Sequence, residues 1–168
     1  FANSIVAIDA NTGTHVWHFQ TSHHDLWDYD LPTPPNLTTI EKDGKEIDAV
    51  VQLTKQGLVF MLERETGKPI YPIEERPVPA STMPDESTWP TQPFPVKPLP
   101  LTRTTFDESI ITDITPESHA FIKEEAGNYS WVIIYQPPSL QVIIQFLGFR
   151  GVAEWSGCAI DAATGIMY

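Results

Sequence analysis

The chain has 168 residues, 41% of them hydrophobic, with 22 acidic against 10 basic side chains and a formal net charge of -12 at pH 7. That length holds one domain of ordinary size, or part of a larger one, with enough apolar residues for a core. The charge excludes nucleic acid and anionic membrane surfaces as partners, because both select clustered Lys and Arg. The single cysteine, Cys158, excludes an internal disulfide, and no apolar run approaches the ~18 residues of a membrane span.

The chain opens without a basic segment leading into an apolar one, and a strand-like run begins almost at Phe1, so it reads as an internal piece of a longer protein. Ser4 to Asp9 alternates as a strand, Ala10-Asn11-Thr12-Gly13 forms a turn, and Val16 to Phe19 resumes the strand, which makes a hairpin. The same phrase returns at Leu62 to Gly67 and at Ile160 to Gly165. Thr12 and Thr66 are 54 residues apart, and Thr66 and Thr164 are 98 apart, about twice 49. A strand-turn-strand unit recurring near 50 residues, with one middle copy too degenerate to see, is the signature of a β-propeller. Each turn has a local cause: the acid accepts from turn N–H groups, and Gly supplies a positive φ.

After the first hairpin comes His23-His24-Asp25-Leu26-Trp27-Asp28-Tyr29-Asp30, with two imidazoles, three carboxylates and two aromatic rings in eight residues. A half-buried strand does not carry that density of ionisable groups, because an unpaired buried charge costs several kcal/mol. The run reads as a loop that sets carboxylates beside flat rings, where partial desolvation raises basicity. A solvated Asp-rich turn is the bland alternative. Metal ligation by His18, His23, His24 and Asp25 is the weaker reading, since the spacing is not that of structural zinc.

Asn36 to Ile40, Ile47 to Leu53, Leu58 to Leu62 and Pro69 to Tyr71 read as the four strands of one blade, with Lys55 in the bend between the second and third. From Pro72 to Pro100, nine prolines in 29 residues predict an ordered excursion without regular structure, anchored by Trp89, Phe94 and Leu99. Thr115-Pro116-Glu117 is a helix start, with Thr as N-cap and Pro at the first helical position, and the helix is expected to stop at Gly127. Strands are expected again at Trp131 to Tyr135, Gln141 to Phe146 and Ser156 to Ile160.

These phrases resemble a known family. Ala7-Ile8-Asp9-Ala10-Asn11-Thr12-Gly13 followed by Trp17 resembles the tryptophan-docking repeat that joins blades in the eight-bladed quinoprotein dehydrogenases. Trp17 through Pro32 is similar to the active-site segment of the branch with membrane-bound glucose, quinate and polyol dehydrogenases. So are Thr54-Lys55-Gln56-Gly57, Glu74-Glu75-Arg76-Pro77-Val78-Pro79, Pro90-Thr91-Gln92-Pro93-Phe94 and Pro137-Pro138-Ser139-Leu140. The resemblance implies an all-β fold: a partial eight-bladed β-propeller of about three four-stranded blades with one short helical insertion. Residues 1–168 would lie in a single propeller domain, with 72–127 inserted between blades.

It further implies pyrroloquinoline quinone (PQQ) on the propeller axis beside a Ca²⁺ ion whose ligands lie outside this chain, and a periplasmic location, with any membrane association through segments not included here. Asp28 falls on the family's catalytic carboxylate, the base that takes the alcohol proton as hydride leaves. Lys55 falls on the residue that hydrogen-bonds the quinone oxygens, and Glu154-Trp155 on a stretch that approaches the cofactor. The implied partners are an alcohol or sugar substrate, a quinone or cytochrome electron acceptor and the remaining blades. The chain departs from the pattern at Glu63 and Tyr71, where Asp and Trp are usual, which predicts a looser blade contact. It departs again at Val142, Leu147, Val152 and Ser156, in place of Gly, Pro, Gly and Gly, which predicts a poorer backbone approach to the cofactor. Two other readings compete: a non-catalytic propeller scaffold, and an inactive remnant of a dehydrogenase. A scaffold needs the Thr-Gly turns but has no use for Asp28 and Lys55 together.

Overall fold

In a computed structural model, residues 1–129, 133–141 and 143–168 are described. β1 (Ser4–Ile8) and β2 (His15–Gln20) form the first hairpin, antiparallel with a bulge at Ala7/Ile8. β3 (Asn36–Lys42), β4 (Lys45–Leu53) and β5 (Val59–Glu63) form a three-stranded antiparallel meander. β6 (Ile73–Pro77) pairs with β7 (Thr91–Pro95), and β8 (Ile160–Asp161) pairs with β9 (Ile166–Met167). Among the described residues the sheets are open and hold two or three strands each, where four were expected per blade. The expected outer strand at Pro69 to Tyr71 is reduced to one bridge, Leu62 to Pro69.

The sheets stack in the way blades do. β4 reads polar at its start, but Ala49 to Leu53 are buried without alternation, because this strand is covered on both faces. On one side Val50 and Leu62 meet Ile5 and Trp17 of the first hairpin. On the other, Val51, Leu53 and Val59 meet Ala153, Cys158, Ile160 and Met167. Thr12 and Thr66 therefore lie in the turns of different, neighbouring sheets, as a blade repeat requires.

The three turns share one chemistry. Gly13, Gly67 and Gly165 have φ of 72°, 69° and 68°, and each donates its N–H, at 2.8 Å, to the carbonyl of the acid four residues earlier. Asp9 accepts from Thr12 N, Thr12 Oγ1 and Asn11 N, and Asp161 from Ala163 N and Thr164 Oγ1. Glu63, one methylene longer, keeps only the Thr66 hydroxyl, at 2.6 Å. Trp17 joins the first two sheets: its indole N–H donates to Arg64 O at 2.9 Å, and its ring lies flat on Gly67, where a Cβ would come within 2.6 Å of it. Tyr71, at the matching place in the second repeat, instead lies under the Lys42 ammonium, 5.0 Å from the ring centroid.

The proline-rich excursion is more regular than its composition predicts. In the β6–β7 register Pro95, Pro93 and Pro77 fall opposite Ile73, Glu75 and Thr91. The bonds from Val96 N to Pro72 O and from Val78 N to Pro90 O flank that register, so all three prolines occupy the alternate positions whose N–H would point away from the partner strand. A two-stranded ribbon loses nothing by their missing donors.

The helix α1 (Pro116–Gly127) begins as expected, with Thr115 and Ser118 forming a capping box. Of the later strands, Trp131 and Val132 lie outside the described residues, and Ile133 makes a single bridge to Thr105. Gln141 to Phe146 is not a strand in its described part: the chain turns at Gln145–Gly148, with Leu147 at φ 74° and a bond from Gly148 N to Gln145 O. Apolarity alone could not separate a strand from a packed turn there. Ser156 to Ile160 is likewise broken by a turn from Glu154 to Gly157, and pairing resumes only at Ala159.

Candidate functional site

The loop after β2 is built on Asp25. Its carboxylate accepts from Trp27 N at 2.9 Å, Tyr29 N at 2.7 Å and Asn3 Nδ2 at 2.9 Å, a side chain organising its own following turn. The next residues alternate in direction. Trp27 and Tyr29 turn inward and are almost fully buried. The Trp27 indole donates to Gln136 O at 2.7 Å and the Tyr29 hydroxyl to Ile134 O at 2.6 Å. Tyr135 packs at a near-right angle to both rings. Burial, followed by the charge of Asp25, holds the Tyr29 phenol above the ordinary tyrosine range.

Asp28 and Asp30, on the alternate positions, point outward. Asp28 takes φ 64° between its two buried neighbours, and the side chains of Asp28 and Asp30 remain 68% and 56% exposed. The desolvation expected from the neighbouring rings is therefore absent, because the aromatic groups took the inside of the loop.

Lys55 sits in the tight turn between β4 and β5, where Gly57, at φ 75°, donates to Thr54 O. The lysine is buried along its stem, with its side chain 8% exposed. Its ammonium donates to the Asp28 carbonyl at 2.9 Å, to Asp28 Oδ2 at 3.2 Å and, in a short contact, to Asp30 Oδ1. Burial alone would push this ammonium down. Its hydrogen bonds to Asp30 and Asp28, together with their charges, outweigh it and leave the group above the ordinary lysine range. The two candidate residues, 27 positions apart, are thus brought into direct contact.

Gly151 was not singled out from sequence, and Asp30 was named there only as one of the carboxylates of the run, not as a partner of Lys55. The pairing of Asp30 with Lys55 is signalled in the sequence only by its spacing of two from Asp28, and Gly151 by nothing local. Gly151, at φ 69°, lies so close to Lys55 that a Cβ would come within 2.3 Å of the Lys55 carbonyl, and Val152 N donates to that same carbonyl at 2.8 Å. Gly151, beside the Val152 that stands where glycine was expected, thus packs its backbone directly on that of Lys55. Val142 lies outside the described residues. Glu154 and Trp155 follow this contact directly, yet neither makes a hydrogen bond or ion pair to Asp28 or Lys55, and Trp155 is 83% exposed. His23 and His24 pair with Glu75 and Glu86 on the excursion.

Stacked sheets joined by a docked tryptophan, with an acid-lysine pair on their connecting loops, are the parts of a β-propeller carrying a polar site. The chain matches, over residues 1–168, the family described as PQQ: glucose/ethanol/alcohol dehydrogenase, beta-propeller domain, and belongs to it. The quinoprotein glucose dehydrogenase of Gluconobacter oxydans (strain 621H) is 39% identical over 168 residues, 96% of this chain and 20% of that protein. The glycerol dehydrogenase large subunit of Gluconobacter thailandicus is 34% identical over 169 residues, 99% of this chain and 23% of that protein. The chain thus spans about a fifth of the length of these curated relatives. Among solved structures, a europium-containing methanol dehydrogenase is similar over 99% of this chain and 23% of its own, with a TM-score of 0.56 at 18% identity, a likeness of fold.

Proposed function

We propose that this chain forms the acid-lysine part of the active site of a PQQ-dependent dehydrogenase that oxidises a sugar or polyol, and that it acts within a longer propeller. The observation that carries the reading is the buried Lys55 stem presenting its ammonium beside an exposed Asp28. A propeller scaffold would gain nothing from placing a lysine and two carboxylates on a loop rim, whereas a redox site uses both.

The donor set fits the cofactor. A reduced quinone oxygen carries negative charge, and Lys55 is a fixed cation whose backbone is wedged by Gly151. An oxygen acceptor arriving at the ammonium competes with Asp28 Oδ2, the longest of the three contacts. Bound beside Lys55, PQQ would supply a two-electron acceptor for the hydride leaving the substrate carbon. Asp28 takes the proton of the reacting hydroxyl, a task for an accessible carboxylate held close to the cofactor's cation. Asp25 fixes the loop that carries Asp28, and Asp30 holds Lys55 when Asp28 is released to the substrate. Glu154 and Trp155 belong to the cofactor-facing edge that follows Gly151, and Trp155 offers a free aromatic face. A Ca²⁺ ion would be held by residues elsewhere in the propeller, electrons would pass to a quinone or cytochrome, and the site would face the periplasm.

The test is to load the full-length protein carrying this chain with PQQ and Ca²⁺ and assay dye reduction with glucose, glycerol and quinate. PQQ-dependent turnover on one of them, lost in Asp28→Asn, is expected. A protein that binds no PQQ, or reduces dye equally without it, overturns the reading.

A further inference from the structure

Gln92, on β7, is fully buried (0% exposed), although its side chain is an amide with four hydrogen-bonding positions. Both of its polar atoms bond one distant residue. Its Oε1 accepts from His23 N at 2.8 Å and its Nε2 donates to His23 O at 2.7 Å. Both backbone groups of His23 are thereby paired as a neighbouring strand would pair them, but by a single side chain 69 positions away. The rest of the ribbon reinforces the contact. His23 Nε2 lies 3.1 Å from Glu75 Oε1, Thr91 Oγ1 donates to the other oxygen of Glu75 at 2.6 Å, and His24 Nε2 lies 2.8 Å from Glu86 Oε1.

His23 opens the loop that ends at Asp30. Lys55 holds the far end through Asp28 and Asp30, and Asp25 holds the middle. Among the described residues the Asp28 side chain hydrogen-bonds only Lys55, so its position is set by that lysine and by the loop backbone that carries it. Slack at His23 would be passed along the loop to Asp28, and a misplacement of about 1 Å is enough to cost a reaction roughly 10²-fold.

We infer that Gln92 is a positioning residue for Asp28: the β6–β7 ribbon clamps the loop through the amide of Gln92 and thereby sets where the base sits. This rests on the reading of Asp28 as the base. The test uses the full-length PQQ-loaded protein with Gln92→Met, which keeps the length and removes both bonds, with Asp28→Asn, and with the double variant. Gln92→Met should lower kcat by about 10- to 100-fold while KM and PQQ content stay within about twofold. On the Asp28→Asn background it should cost less than about twofold, because a base that is gone cannot be misplaced. Gln92→Glu, which keeps the acceptor for His23 N–H, should fall between Met and wild type. An undiminished effect on the Asp28→Asn background, or an unchanged kcat, overturns the inference. So does failure of both Gln92 variants to fold, which would make the residue a structural one. If Asp28→Asn alone turns over normally, it is the base assignment that fails.

Discussion

Replacing Gly67 by Ala isolates the contact that joins the first two sheets. Gly67 has φ 69°, and a Cβ there would lie 2.6 Å from Trp17 Cδ2 and Cε3 and 3.0 Å from Cγ. Gly165 has nearly the same φ, 68°, but no atom within 4 Å of the corresponding Cβ. Both substitutions carry the left-handed penalty of roughly 1–2 kcal/mol. Gly67→Ala also overpacks against the indole, worth about 1–3 kcal/mol more, because the ring cannot retreat without breaking its bond to Arg64 O. The excess falls on a different sheet from the one mutated. Hydrogen exchange followed by mass spectrometry on the full-length protein should show peptides from β1 and β2 exchanging roughly 5- to 150-fold faster in Gly67→Ala. Gly165→Ala should speed only β8 and β9. Unchanged exchange across 4–20 in Gly67→Ala would refute the claim that Trp17 on Gly67 couples the sheets.

Lys55→Ala removes a cation with three hydrogen bonds, so it should lower PQQ retention and slow reduction together, read by cofactor content and turnover in the same preparation. Tyr29→Phe leaves the buried Ile134 carbonyl without its donor and should destabilise by about 1–3 kcal/mol in denaturant melts. Because the folded chain holds the Tyr29 and Tyr135 phenols and the Lys55 ammonium above their ordinary values, the unfolded chain releases those protons first. Stability should therefore fall as pH rises past 10, and Tyr29→Phe should weaken that fall in pH-dependent melts. Asp9 and Asp161 are held below 3.8, first by the side-chain hydroxyls of Thr12 and Thr164. Their contribution is present above 3.8 and lost as pH drops through the lowered folded values, so the double Asn variant should show a shallower acid transition.

The repeat was legible because its cause is local. An acid, a Thr and a Gly within five residues make the turn, and its recurrence at blade spacing marks the propeller. The helix was legible for the same reason, through Thr115 and Pro116. The β6–β7 ribbon was hidden, since a proline count does not reveal that all three strand prolines share one parity in the register. At the site, Asp28 and Lys55 were found by resemblance. The roles of Asp25, Asp30, Gly151 and Gln92 were not, because each depends on a partner that the fold supplies: Trp27 and Tyr29 amides, the Lys55 ammonium, the Lys55 carbonyl and the His23 backbone. The desolvation expected at Asp28 and Asp30 failed because a loop with alternating rings and acids has one inside, and the rings occupy it.

The most direct test of the central claim is the rate of reduction of bound PQQ in a single turnover by the full-length protein, comparing wild type with Asp28→Asn. Removing the base while keeping the shape should slow reduction by roughly 10²- to 10⁴-fold with PQQ content unchanged. Reduction at the wild-type rate in Asp28→Asn would make Asp28 an ordinary loop acid paired with Lys55 and contradict the account.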